Sequence, residues 1–331
     1  MNKKLQRGAR IVAEQWLQVA EGERLFIVTS EEYINDVAFI EQYAKEAGAV
    51  VEVMSFERQQ GQVGHYFDDH ETAFDSFDVI LGATTHSLVT TKAVKRAIER
   101  GSRFLSLPLS TNDGRSLLEY DFLLMDPNES KKMADQLLEK LAYGKELLVM
   151  TATGTHLTFS MEGREAKFFT GSTKIGNGYS SSSFEIFIPV VEDMTYGIGV
   201  VDASLGYLGA PEEPVRIYLK DGRVCEIEQN EAGQKLTSYI AEFKDEGMYV
   251  AGEFGIGLNT FSRCDGNCYI EDESAYGTFH IGFGRNIAFG GQHEAKGHFD
   301  LVFDKPDIYI DGLLIMRKGE IIWDEKNVEA V

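Results

Sequence analysis

The hydrophobic pattern of this chain changes in kind near residue 145, and that change constrains its fold most. Before it, short apolar runs alternate with segments of helical period, an order that predicts a parallel sheet covered on both faces. The strands expected there are residues 25–29, 50–56, 78–82 and 103–107. The helices expected there are an amphipathic helix at the N-terminus and residues 33–47, 90–100 and 128–141, with Gly48 and Gly101 closing two of them.

Beyond residue 145 apolar and polar residues alternate singly between glycine-rich turns, which is typical of hairpins in an antiparallel or mixed sheet. Such runs occupy residues 147–168, residues 215–229 around Asp221-Gly222, and residues 308–323 around Lys318-Gly319, with one helix over 232–246. A chain of 331 residues usually exceeds a single core. We therefore expect an α/β domain at 1–144 and an α+β metal-binding catalytic domain at 145–331, joined by a hinge at Gly144 and Lys145.

The net charge limits the classes of partner. A formal charge of −21 and a pI near 4.8 repel nucleic acids and anionic membrane surfaces, and the sequence has no basic patch to offset them. The residues after the first strand, Thr29 to Glu32, are not a glycine-rich phosphate loop, which argues against a dinucleotide site. The charge is compatible with binding divalent cations, although an acidic surface is more often simply solvated.

The cysteines and the N-terminus indicate a compartment. Three cysteines are an odd number and do not form a secreted disulfide framework, which favours a reducing environment. The N-terminal segment has no apolar core or cleavage site of a signal peptide, and no stretch of about 18 apolar residues occurs. We expect a cytoplasmic protein, and a homodimer because sheet edges are usually covered.

Histidines and acids gather in the second half in positions that suit a metal. His298 and Asp300 form a His-x-Asp on a strand, where a period of two places both side chains on one face. His280 lies in GTFHIGFGRN beside an apolar strand, where Gly282 and Gly284 allow close backbone approach, and Glu185 and Glu253 each interrupt an apolar run. Buried carboxylates need a partner or a cation, so the two glutamates indicate a shared positive charge. The alternatives are a surface hydrogen bond for the His-x-Asp and a core histidine bonded to a carbonyl for His280.

These motifs also occur in a familiar order. The succession FEIFIPVVED, AGEFGIGLN, GTFHIGFGRN with a following GG, GHFDLVF and IYIDG resembles the thermophilic metalloprotease-like superfamily. That group includes the M29 aminopeptidases of the T and S type and 2,5-dihydroxypyridine dioxygenase. The resemblance implies metal ligands at Glu185, Glu253, His280, His298 and Asp300.

The sequence departs from each branch at one point. The aminopeptidases carry a tyrosine shortly after the first histidine, where this chain has Asn286, Ile287 and Phe289. That difference bears on peptidase activity more than on metal binding. The dioxygenase uses two histidines and an aspartate for iron, and Glu253 stands where its extra histidine is expected.

The first functional hypothesis is a hydrolase for a short peptide or small amide. A divalent metal, zinc, cobalt or manganese, would activate water, with Glu253 or Glu185 as general base. The runner-up is a mononuclear iron(II) ring-cleaving dioxygenase, in which His298 and Asp300 bind iron with His280 or Glu253. The third is a catalytically silent scaffold that binds a peptide, for which the missing tyrosine is the sequence support.

Two further features lie outside this set. His86 follows a predicted parallel strand, at the sheet edge where ligands bind, and the dioxygenase resemblance implies a catalytic histidine there that exchanges a proton across the domain cleft. A helix-capping or surface histidine is the alternative. Cys264 and Cys268 have a spacing that could serve a metal, but without a second pair a loop with reduced thiols is favoured.

Overall fold

The computed structural model describes residues 2–57, 63–175 and 178–323, which fall into two compact units. The first comprises Met1–Lys131 and Phe169–Phe184, and the second Lys132–Phe168 and Glu185–Val331. A parallel sheet lies in the first and antiparallel sheets in the second, so the predicted fold class is confirmed. The domain boundary expected at Gly144 and Lys145 stays a prediction. The compact units differ from it because the first ends at Lys131 and regains residues 169–184.

The elements are numbered here in chain order. The α-helices are α1 (Lys3–Ile11), α2 (Ile34–Glu46), α3 (Gly64–Asp69), α4 (Lys92–Glu99), α5 (Pro127–Leu141), α6 (Glu231–Glu242) and α7 (Tyr269–Ser274). The first nine strands are β1 (Arg24–Ser30), β2 (Val50–Phe56), β3 (Val79–Ala83), β4 (Arg103–Ser106), β5 (Glu146–Met150), β6 (His156–Ser160), β7 (Lys167–Thr170), β8 (Tyr179–Ser181) and β9 (Phe184–Pro189). The others are β10 (Thr195–Val201), β11 (Val215–Lys220), β12 (Arg223–Ile227), β13 (Ala251–Gly257), β14 (Thr278–Gly284), β15 (His298–Asp304), β16 (Asp307–Ile310), β17 (Leu313–Arg317) and β18 (Glu320–Ile321).

The first unit is built on a parallel sheet in the order β2-β1-β3-β4-β8. Every residue of β3 is buried, as expected of a central parallel strand covered on both faces. Gly48 and Gly101 follow α2 and α4 with positive φ angles, which confirms the predicted helix ends. The edge strand β8 comes from a serine-rich segment and pairs with β4. The sequence pattern does not predict that the chain returns to the parallel sheet at this point.

The second unit contains an eight-stranded sheet in the order β12-β11-β10-β6-β5-β16-β17-β18. All three predicted hairpins are present, as the antiparallel pairs β5 with β6, β11 with β12 and β17 with β18. Asp221 and Gly222 have φ angles of 49° and 73°, the left-handed pair of a tight two-residue hairpin turn. The predicted helix over 232–246 is α6, which ends at Glu242.

A five-stranded sheet in the order β15-β14-β13-β9-β7 carries the candidate site, and we call it the site sheet. Its neighbouring strands β15, β14, β13 and β9 are antiparallel, and their side chains alternate between two faces. One face is apolar throughout and belongs to the core of the second unit. Its members are Ile186, Ile188, Phe254, Ile256, Phe279, Ile281, Phe283, Phe299, Leu301 and Phe303. The other face holds glycines, carboxylates and imidazoles, together with Phe187 and Val302.

None of the described helices is long and apolar enough to cross a membrane. The cytoplasmic location and the homodimer stay predictions.

Candidate metal centre

Four adjacent strands of the site sheet bring the five predicted ligand residues together. Glu185 lies on β9, Glu253 on β13, His280 on β14, and His298 and Asp300 on β15. The strand pairing places all of them on the face opposite the aromatic core. Two overlapping groups have ligand atoms within 4.8 Å of one another: Glu185, Glu253 and His280, and then Glu253, His298 and Asp300.

Two glycines make room for the imidazoles. Gly255 pairs with His280, and a Cβ added to Gly255 would lie 1.9 Å from Nε2 of His280. A Cβ at Gly282, which lies between Glu253 and Asp300 in the sheet, would fall 2.6 Å from Cε1 of His298. Real side chains never approach so closely, so each ring rests where only a glycine leaves space.

The centre is almost dry. Glu185, Glu253, His280 and Asp300 are each at most 4% exposed. Nε2 of His280 lies 2.9 Å from Oε2 of Glu185, while Nε2 of His298 lies 3.1 Å from Oε2 of Glu253 and 3.3 Å from Oδ1 of Asp300. Buried carboxylates in this number require a compensating positive charge.

In the absence of a metal, the attraction between carboxylates and imidazoles, together with burial, sets the protonation of these groups. Burial lowers the pKa of His280, but the hydrogen bond and charge of Glu185 outweigh it and raise that pKa to about 9. Burial raises the pKa of Asp300, but the charge of His298 outweighs it and lowers that pKa to about 2. For Glu253, burial dominates and raises the pKa. Protons on the imidazoles thus hold the place that a cation would take, and metal binding must release them.

His298 is oriented from outside the centre. Its Nδ1 lies 3.0 Å from the carbonyl oxygen of Arg285, which can only accept, so Nδ1 is the donor and Nε2 faces the carboxylates. The ring of Phe289 packs edge-on against the imidazole with 5.2 Å between centroids. Histidine ligands of metals commonly have this arrangement of one donating nitrogen and one inward nitrogen.

Helix α7 adds two residues that sequence reasoning missed. Tyr269 donates a short hydrogen bond to Oδ2 of Asp300, and Glu273 interacts electrostatically with Tyr269 and with the other carboxylates. All six residues of α7 are buried, including its three consecutive acids. Burial, with the charge of Glu185 next, holds the pKa of Glu273 well above its usual range. The run YIEDES has the pattern of a solvated surface helix, so the sequence carries no signal for this role.

The residues present fit a divalent metal. Imidazole nitrogens and carboxylate oxygens are ligands for zinc, cobalt, manganese and iron(II). Nδ1 of His280 is buried and has no hydrogen-bond partner among the described residues, an orphan that a structural imidazole would normally not have. The roles of these five residues as ligands, and of Glu185 and Glu253 in catalysis, stay predictions.

The remaining candidates lie apart from this set. His86 belongs to the first unit and follows β3, where burial lowers its pKa, so the imidazole is neutral at neutral pH. Its proposed role stays a prediction. Cys264 and Cys268 are free thiols, and Cys268 is fully buried directly before α7.

Comparison with known proteins agrees with this architecture. A curated relative, the 2,5-dihydroxypyridine 5,6-dioxygenase of Pseudomonas putida strain KT2440, is 24% identical over 148 residues, which cover 41% of this chain and 42% of that protein. The solved structure of 2,5-dihydroxypyridine dioxygenase from Pseudomonas putida KT2440 aligns with a TM-score of 0.78 at 19% identity, over 97% of this chain and 98% of that chain.

The second relationship implied by the motifs is also found. Wild-type AmpT from Thermus thermophilus aligns with a TM-score of 0.66 at 16% identity, over 97% of this chain and 99% of that chain. At these identities the two structures show a shared fold, and both named relationships are confirmed. A family model described as NicX, 2,5-dihydroxypyridine 5,6-dioxygenase, matches residues 15–323. The chain therefore belongs to the NicX family of 2,5-dihydroxypyridine 5,6-dioxygenases, within a fold shared with the AmpT aminopeptidase.

Proposed function

We propose that this protein is a metal-dependent hydrolase that cleaves a short peptide or another small amide. The observation that carries the proposal is the pair of overlapping ligand groups that share Glu253. The two groups would hold two metal ions, and paired ions that act on the attacking and leaving groups are typical of aminopeptidases and related hydrolases.

The charge of the centre supports the binding of cations. Glu185, Glu253 and Asp300 are three buried carboxylates of the two ligand groups, and burial raises the pKa of the neighbouring Glu273 well above its usual range. Without a cation, these negative charges would lack compensation when both imidazoles are neutral, which is costly in a site of low dielectric constant.

The residues of the centre would act as ligands and as general base. When bound, a divalent metal supplies Lewis acidity that lowers the pKa of water and polarises a carbonyl. Glu253 or Glu185 would be the base that accepts the proton of the attacking water and returns it to the leaving amine. Glu185 and His280 hold one side of the centre, and His298 and Asp300 hold the other. Phe289 packs edge-on against His298.

A second candidate is a mononuclear iron(II) dioxygenase that cleaves a hydroxylated pyridine ring. The family match over residues 15–323 favours it. His298 and Asp300 belong to one ligand group and His280 to the other, and two histidines with one carboxylate are the ligands that iron oxygenases use. In that case Glu253 and Glu185 need another role, and the compensation of their charge would be incomplete.

Elemental analysis and two activity assays distinguish the candidates. The purified protein is freed of metal with a chelator and reloaded with zinc, cobalt, manganese or iron(II). Release of amino acids from short peptides and aminoacyl anilides is measured alongside oxygen consumption with 2,5-dihydroxypyridine. The proposal expects amide hydrolysis, two metal ions per chain and no oxygen consumption.

The matched variants are His298→Ala and His156→Ala, which remove a histidine of the centre and an exposed histidine of β6. We expect the first to lose metal and activity and the second to keep both. Oxygen uptake that depends on iron(II), without hydrolysis, would replace the hydrolase with the dioxygenase. Peptide binding that persists after chelation, without turnover, would support a silent scaffold instead.

A further inference from the structure

The carboxylate of Asp300 is held by a residue that belongs to none of the ligand motifs. The hydroxyl of Tyr269 donates to Oδ2 of Asp300, while Oδ1 of the same carboxylate faces Nε2 of His298 at 3.3 Å. The two oxygens therefore have different tasks. One is occupied by the phenol, and the other points toward His298 and the centre.

Tyr269 is itself fixed on several sides. Its ring stacks on that of Tyr207 with 4.1 Å between centroids and an interplanar angle of 12°. Glu273, one helical turn away in α7, also interacts electrostatically with its hydroxyl. The residue is 7% exposed and every other residue of α7 is buried. A side chain this constrained can hold a hydrogen bond in one direction at little further cost in entropy.

Carboxylates that bind metals are usually hydrogen-bonded from behind, and those bonds set the direction of the free lone pairs. A phenol is protonated at neutral pH and is therefore a dependable donor to an ionised carboxylate. We propose that Tyr269 is a positioning residue of the metal centre, which orients Asp300 so that Oδ1 is presented to the cation. This inference rests on the proposed function, because it takes Asp300 as a metal ligand.

The test compares two single-atom deletions in the same unit. Tyr269→Phe keeps the ring that stacks on Tyr207 and removes only the hydroxyl. Tyr239→Phe is the matched control, because the buried hydroxyl of Tyr239 has no hydrogen-bond partner among the described residues and its ring packs on Phe299, on the apolar face of the site sheet. Both variants are freed of metal and titrated with cobalt(II), whose visible absorption reports coordination geometry.

We expect Tyr269→Phe to bind cobalt(II) about 10- to 100-fold more weakly than wild type, with altered absorption bands. Tyr239→Phe should match wild type in both measurements. A Tyr269→Phe protein with wild-type affinity and an unchanged spectrum would overturn the assignment. A wild type that binds no cobalt(II), zinc or manganese would instead overturn the proposed function, so the two failures are distinguishable.

Circular dichroism establishes whether Tyr269→Phe is folded. If it is not, Tyr207→Leu takes its place, since this change leaves the Tyr269 hydroxyl but removes the ring that fixes it. Weaker cobalt(II) binding by Tyr207→Leu would support the positioning role. Unchanged affinity in that variant would count against it.

Discussion

Gly255 lies directly opposite His280 in the antiparallel pair β13–β14, and the imidazole occupies the space that a side chain at Gly255 would fill. The glycine is therefore as much a part of the centre as the histidine, although it has no functional group. Its φ angle is not in the left-handed region, so the requirement is for space and not for backbone freedom.

Gly255→Ala should displace the His280 ring and weaken metal binding by more than about 100-fold, since a ligand is lost rather than reoriented. Overpacking should also lower the free energy of unfolding by about 1–3 kcal/mol. Calorimetric titration with zinc measures the first effect and urea denaturation the second. Gly64→Ala is the control, because its added Cβ meets Thr91 at an ordinary 3.4 Å. A Gly255→Ala protein with wild-type zinc affinity would contradict the crowding argument.

Metal removal should destabilise the protein. An ion present at about 100 times its dissociation constant adds about 2.7 kcal/mol, or about 5–10 °C in Tm for a domain of 150–250 residues. Differential scanning calorimetry with added zinc and with chelator measures this difference. His298→Ala should show little difference in Tm between zinc and chelator. A wild-type Tm that changes with neither zinc nor chelator would contradict a metal centre.

Asp272 should make stability depend on pH. Burial raises its pKa from 3.8 to about 7, although Ser204 and the amide of Gly266 donate hydrogen bonds to it. Between these values the folded chain keeps a proton that the unfolded chain has lost, so the free energy of unfolding falls as pH rises from 4 to 7. At about 1.4 kcal/mol per pKa unit the fall is at most about 4 kcal/mol.

Asp272→Asn removes this titration, and its amide can still bond with Ser204. We expect a smaller loss of stability between pH 4 and pH 7 than in wild type, measured by urea denaturation. Asp193→Asn, at an exposed position, should follow the wild-type curve. If Asp272→Asn lost as much stability as wild type over this range, the buried carboxyl would not be the cause.

The apolar face of the site sheet should govern stability. Phe254 is fully buried and packs against Phe159 and Phe279 with centroids 5.3 and 5.6 Å away. Phe254→Ala should cost about 3–5 kcal/mol of unfolding free energy. Phe261→Ala, at a residue 48% exposed, should change it by no more than about 0.5 kcal/mol. Guanidinium denaturation of both variants gives the comparison, and equal losses would contradict the assigned core.

Much of this architecture follows from periodicity. Strands such as β2 and helices such as α5 are found within one residue of their predicted bounds, because alternation and helical period are local properties of the sequence. The convergence of Glu185, Glu253 and the three later residues was also predictable, since a buried acid in an apolar run needs a positive partner.

Other features depend on contacts distant in sequence. The segment 169–184 returns to the parallel sheet through a strand of tyrosine and serines that has no apolar pattern. Helix α7 has three consecutive acids, which normally indicate solvent, and only its tertiary surroundings bury Tyr269 and Glu273. Departures from local pattern of this kind are expected where a chain serves chemistry instead of packing.

The site sheet has an apolar face and a face that carries the candidate ligands. Core residues and candidate ligands therefore alternate along the same strands. Inserting or deleting one residue within β14 would exchange Phe279 and Ile281 for His280 and Gly282, ending stability and chemistry together. Insertions and deletions among homologous sequences should therefore be absent from β13, β14 and β15 and should occur in the connecting loops.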